Sequence, residues 1–202
     1  MSLNIQQEAL TVTALAEYAA VPIAFVVDKI LQVTVVDGGL GGISLTETAV
    51  TDPYVKDYDA VEGAGPAHWP ERFDISNWGL ISGRRDGTRV GGAVIAVKTP
   101  GLRMLGARDD IAVLWDIRVS SAERSAGLGS ALFQAAADWA ATRSCRWLKI
   151  ETQSVNAAAC RFYQKLGCTL GAIDRFAYPD SPGEVQLLWW KALAAPTDSQ
   201  AG

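Results

Sequence analysis

Histidine is almost absent from this 202-residue chain, where His68 stands alone. Cysteine is scarce and odd in number: Cys145, Cys160 and Cys168 fall at no metal-ligand spacing. Together these exclude a zinc site of the usual His and Cys build. The cysteines then read as reduced, mostly buried thiols of a cytoplasmic protein, with Cys160 at an interior-looking helical position. His68, in Pro66-Ala-His-Trp-Pro70, reads as a loop residue without catalytic duty. Long uncharged apolar runs are missing too. Val21 to Val36 comes nearest, but it carries Asp28, Lys29 and Gln32 and is too short to span a membrane. Met1 to Leu10 is polar without a basic start, so no leader peptide is expected. Basic excess is lacking as well. A net charge of −4 argues against a nucleic-acid partner and is compatible with a cationic substrate.

What the chain does have is the profile of a soluble globular domain, 49% apolar and 20% charged. Its length predicts one domain over residues 1–193, with a small, polar, disordered tail over 194–202. The first half reads as β-rich. Strands are expected over Val21 to Val36 and Gly42 to Thr51, then a loop over Asp52 to Pro70. Trp78 to Ser82 and Arg89 to Lys98 read as strands joined at Arg85-Asp86-Gly87, where Asp-Gly signals a hairpin. The second half alternates. Strands are expected over Ile111 to Val119, Arg146 to Thr152, Cys168 to Tyr178 and Val185 to Lys191. Helices are expected over Leu128 to Thr142 and Asn156 to Leu166, the second stopped by Gly167. This is an α/β or α+β pattern, a mixed sheet with helices on its faces.

The stretch LWDIRVSSAERSAGLG, Leu114 to Gly129, runs strand, polar turn, glycine loop, helix. Arg124, Gly127 and Gly129 form R-x-x-G-x-G. Such a loop aims unpaired backbone N–H groups at one point, where the helix dipole adds positive charge, and phosphates bind there. No Lys-Ser/Thr follows Gly129, so it is not a Walker loop. No acidic residue ends a strand at the ribose-binding distance, so a dinucleotide fingerprint fits poorly.

With LKIETQSVNAAACRFYQKLG added, the sequence resembles the GNAT superfamily of N-acetyltransferases. The resemblance runs from Ile111 to Trp190. Within the superfamily it is similar to the streptothricin acetyltransferases, through DPYVKDYD, IETQ, ACRFY and the LLWW ending. It implies a mixed, mostly antiparallel sheet flanked by helices, with a splayed strand pair that takes acetyl-CoA. It also implies that Ile117, Arg118 and Val119 lie along the pantetheine arm of coenzyme A. The diphosphate falls to Arg124, Ser125, Ala126, Gly127, Leu128, Gly129 and Ser130. Many members have a second basic residue where this chain has Ala126, which shifts weight onto backbone amides. Asn156 matches a pantetheine-binding asparagine, and it is equally a good helix N-cap. Tyr163 matches the tyrosine beside the cofactor sulfur, where a phenol can donate a proton or hydrogen bond to the leaving thiolate.

Two carboxylates compete for the role of general base. Glu151 occupies the place of the base in ribosomal-protein N-terminal acetyltransferases, which the chain also resembles. Asp116 is the rival, although strand alternation sets it beside Arg118 as an ion pair. The acids Asp52, Asp57, Asp59 and Glu62, with Tyr54 and Tyr58 among them, read either as solvated loop residues or as a cation-binding segment. Tyr54, Asp57 and Tyr58 are the candidate substrate contacts. The leading expectation is a cytoplasmic, acetyl-CoA-dependent enzyme acting on a primary amine of a small cationic molecule. A protein N-terminal acetyltransferase and a non-catalytic CoA-binding module are the alternatives. No membrane or nucleic-acid partner is expected, and a homodimer is left open.

Overall fold

Asp86 and Gly87 both take positive φ, 48° and 85°, as a two-residue hairpin turn requires. They join β4 (Gly79–Arg85) to β5 (Thr88–Ala96) where the Asp-Gly signal predicts. The computed structural model describes residues 2–124 and 126–194. The expected tail, apart from Ala194, lies outside the described residues.

The described chain divides into two compact units. The first takes residues up to Ile23, Asp57–Lys149 and residues from Ala192 on. In it, β1 (Leu3–Glu8), β4, β5 and β6 (Ile111–Val119) lie side by side in that order, every neighbour antiparallel. Helix α3 (Leu128–Thr142) covers this sheet with Leu128, Leu132, Phe133, Ala136 and Trp139, close to the face its 3.6-residue period predicts. Helix α1 (Val12–Ala19) brings Tyr18 against β5, and a Cβ at Gly92 would lie 2.8 Å from that ring. A four-residue helix α2 (Trp69–Arg72) follows a turn of 3₁₀ helix. Trp69, Trp78 and Trp115 pack around Phe73 at ring separations of 5.3–6.3 Å.

The second unit takes Ala24–Lys56 and Ile150–Lys191. Its hairpin of β2 (Phe25–Val35) and β3 (Ile43–Lys56) is antiparallel. β7 (Trp147–Gln153) carries the chain from the first unit into the second. Helix α4 (Ala157–Lys165) and the antiparallel pair β8 (Thr169–Asp174) and β9 (Gln186–Ala192) follow. The α/β class and the mostly antiparallel sheets with flanking helices are as the sequence implies.

The sequence misleads in four places. β1 arises in the stretch Met1 to Leu10 that reads as polar, and α1 in the residues after it, where no element is expected. β2 starts at Phe25 rather than Val21, because Val21 closes the end of α1, its amide donating to the Tyr18 carbonyl at 3.1 Å. β3 runs to Lys56 through Pro53, whereas a loop is expected from Asp52. Proline is tolerated there because β3 pairs on one side only, with β2. β8 ends at Asp174, so Tyr178 lies in the following loop rather than on a strand.

Candidate functional site

The R-x-x-G-x-G loop lies in the first unit between β6 and α3. Gly127 is the N-cap of α3 at φ 85°, a backbone conformation that favours glycine. It has no side chain with which to cap the first turn, so the helix N-terminus keeps its donors for an anion. A Cβ built on Gly127 would meet nothing within 4 Å, so the approach to these amides is open. Arg85 braces the loop from behind, its guanidinium gripping both oxygens of Glu123 at 2.6 and 2.7 Å. Arg124 is exposed and donates from Nε to the Val119 carbonyl at 3.2 Å, which holds the loop against the end of β6. These features fit the diphosphate of coenzyme A. Leu128 is buried, Gly129 half-buried, and Ala126 and Ser130 exposed. Ser125 lies outside the described residues.

On β6, Ile117 and Val119 are half-buried and pair with Ala93 and Gly91 of β5. Arg118 turns its side chain into the first unit. It donates to both oxygens of Asp116, to both oxygens of Asp59 at 2.7 and 3.1 Å, and to the Val21 carbonyl at 3.2 Å. Its guanidinium also lies 5.0 Å from the centre of the Tyr18 ring. Tyr18 donates its hydroxyl to Asp116 at 2.5 Å. Burial and the Asp116 charge push the Tyr18 phenol well up, so it stays a donor. Asp116 is therefore held by Tyr18 and Arg118 together. The expected Asp116–Arg118 pair is present, and the side chain of Arg118 is fully committed away from solvent, 3% exposed as a residue.

The acidic segment divides. Asp52 and Tyr54 lie on β3, with Tyr54 44% exposed. Asp57 accepts from the Asp59 amide at 3.0 Å, and Tyr58 is half-buried. Asp59, which reads as a solvated or substrate-facing acid, is instead the partner of Arg118. Residues 116 and 118 are legible as a pair, but Tyr18 and Asp59 join them only through the fold.

The second unit carries the other candidates. Asn156 caps α4, its Oδ1 accepting from the Ala159 amide at 3.0 Å. Gly167 ends the helix at φ 77°. Tyr163 is on the buried side of that helix, with Ala157 and Cys160, and is 5% exposed. Glu151 is half-buried on β7. Its Oε1 accepts the Tyr178 hydroxyl at 2.6 Å, and the Gln153 amide lies 3.5 Å from the same oxygen. Oε2 accepts no hydrogen bond among the described residues. Tyr178 has no marker in the sequence beyond its place beside a turn proline. The cysteines are all buried, and burial pushes each thiol up, Cys168 to about 11.

Comparison with known proteins gives these parts a common context. Streptothricin acetyltransferase of Escherichia coli is 35% identical over 94 residues, which is 45% of this chain and 54% of that protein. The chain spans about half the length of the curated relatives it matches first. A crystal structure of nourseothricin acetyltransferase superposes with a TM-score of 0.74 at 22% identity, covering 96% of this chain and all of that one. A putative streptothricin acetyltransferase of Bacillus anthracis, in complex with acetyl coenzyme A, gives a TM-score of 0.71 at 23% identity over 96% and 99% of the two chains. At that identity the two structures speak for the fold. The model of the acetyltransferase (GNAT) family matches residues 48–168, more than half of the sequence, and with the glycine loop and sheet it shows that this chain belongs to that family.

Proposed function

We propose that the protein transfers an acetyl group from acetyl-CoA to a primary amine of a small cationic molecule in the cytoplasm, by direct attack of the amine. When bound, acetyl-CoA supplies an activated thioester carbonyl. The chain's own residues do the rest. The amides from Gly127 to Ser130 and the dipole of α3 hold the diphosphate. Asn156, while capping α4, offers its remaining hydrogen-bonding capacity to the pantetheine arm. Glu151 takes the proton that the attacking amine must lose, directly or through a water. Tyr163 holds a proton at its hydroxyl for the departing sulfur. Tyr54, Asp57 and Tyr58 receive the cationic acceptor. The family model crosses both units, which supports one acetyltransferase domain.

The observation that carries this reading is the state of Glu151. One carboxylate oxygen is fixed by Tyr178 and the other is open, as a base needs. Asp116 has Tyr18 and Arg118 on its oxygens and has little left to offer a substrate. Glu151→Gln should lower turnover about 10²-fold or more with acetyl-CoA affinity near normal. An intact Glu151→Gln enzyme beside a disabled but folded Asp116→Asn enzyme would reverse the assignment. Thiol release with acetyl-CoA and a panel of amines tests the acceptor. Small polyamines and streptothricin-like amines should outrun peptide N-termini. Faster reaction with peptides than with every small amine would overturn the acceptor class.

A further inference from the structure

Tyr178 stands in the loop after β8, half-buried, with two polar partners from β7. Gln153 donates from Nε2 to the Tyr178 hydroxyl oxygen at 3.0 Å. Tyr178 in turn lies 2.6 Å from Glu151 Oε1. The chemistry of the three groups fixes the direction of this chain. An amide N–H can only donate, and an ionised carboxylate can only accept. The phenol receives from Gln153 and so points its proton at Glu151. Residues 151 and 153 project from the same side of β7, as period two requires, and both reach one phenol.

We infer that Tyr178, oriented by Gln153, is a positioning residue that fixes the Glu151 carboxylate through Oε1 and so turns Oε2 toward the acceptor amine. The inference rests on Glu151 being the general base. Burial, reinforced by the Glu151 carboxylate, raises the Tyr178 phenol above its ordinary range. Tyr178 therefore keeps its proton throughout the working range and is not itself the base. Loss of that donor should leave the Glu151 carboxylate freer to rotate.

The test is a double-mutant cycle on turnover, at saturating acetyl-CoA, with the full chain. Tyr178→Phe should lower kcat roughly 10-fold, with the KM for acetyl-CoA unchanged. In a Glu151→Gln background the same substitution should cost nothing further, because the phenol acts through the carboxylate it holds. Gln153→Met keeps the phenol packed but removes a donor beside Gln186, and should show the same pattern with a smaller loss. This second variant carries the test should Tyr178→Phe fold poorly. A residue that merely packs would lower turnover by the same factor in both backgrounds. Equal losses in both backgrounds, with Glu151→Gln impaired, overturn the positioning role and leave the base intact. Full turnover in Glu151→Gln removes the base assignment, and the positioning role with it.

Discussion

Tyr163 is buried on α4, with its ring edge-on to Phe162 at 5.2 Å. Its ring therefore contributes packing whatever its hydroxyl does, and only removal of the hydroxyl separates the two. Tyr163→Phe should fold and bind acetyl-CoA. The chemical step should slow roughly 10-fold to 10³-fold, as expected for an interaction made mainly in the transition state. Stopped-flow measurement, with product release resolved, checks this. An unaltered chemical step would make Tyr163 a packing residue. Asp116 shows what a sequence can and cannot say about one residue. Strand alternation is enough to set it beside Arg118. Tyr18 and Asp59 complete the cluster across 98 and 59 residues of chain, and no local pattern encodes such meetings. Tyr178 was illegible for the same reason: its partner is 27 residues away, across a helix and a strand.

Among the elements, those with a strong local rule are the ones the sequence states outright. β6 and α3 have the bounds expected, and α4 differs only in that its expected ends, Asn156 and Leu166, serve as caps. β1 has no apolar period to betray it. Its burial is mostly exposed, and backbone pairing with β4 holds it. The glycine loop lies between these cases. Its composition is legible, but the reason for Gly127 is not steric. The position is open, and what excludes other residues is the φ of 85°. Gly127→Ala should thus fold, at a cost of about 1–2 kcal/mol, with a loop that relaxes away from its parent shape. Gly127→Asn, which tolerates left-handed backbone better, should lose less. The measurement is the rise in Tm on adding acetyl-CoA, which reports binding to the native state by mass action. Gly127→Ala should reduce that rise more than Gly127→Asn. An equal rise in both variants and the parent would take the loop out of the cofactor site.

In the whole molecule, a motif continuous in sequence is divided by the fold. The glycine loop belongs to the first unit, while Glu151, Asn156, Tyr163 and Tyr178 belong to the second. The net charge likewise hides how acids are used. Glu8, in the stretch that reads as merely polar, and Glu17 on α1 bind β1 and α1 to Arg84 and Arg89 on β4 and β5. The Arg89 side chain is only 3% exposed, so its charge depends on these partners. Burial works to raise the Glu8 carboxyl, but hydrogen bonds from Arg84, Arg89 and Gln6 outweigh it and hold the group at about 2. A carboxylate whose folded pKa is depressed binds its proton more readily in the unfolded chain. Its stabilisation is complete above the unfolded value and disappears as pH falls through the folded one. For Glu8 that window runs from 4.5 down to about 2. Glu8→Gln should lower Tm by roughly 5–10 °C at pH 7, because it leaves a buried guanidinium short of a counter-charge. The gap between variant and parent should then narrow steadily below pH 4.5, as the parent loses the same interaction by protonation. Circular-dichroism melts across that range, in constant ionic strength, give the comparison. A gap of the same size at pH 3 and pH 7 would mean that Glu8 contributes shape and hydrogen bonding rather than charge, and that Arg89 is neutralised chiefly by Glu17.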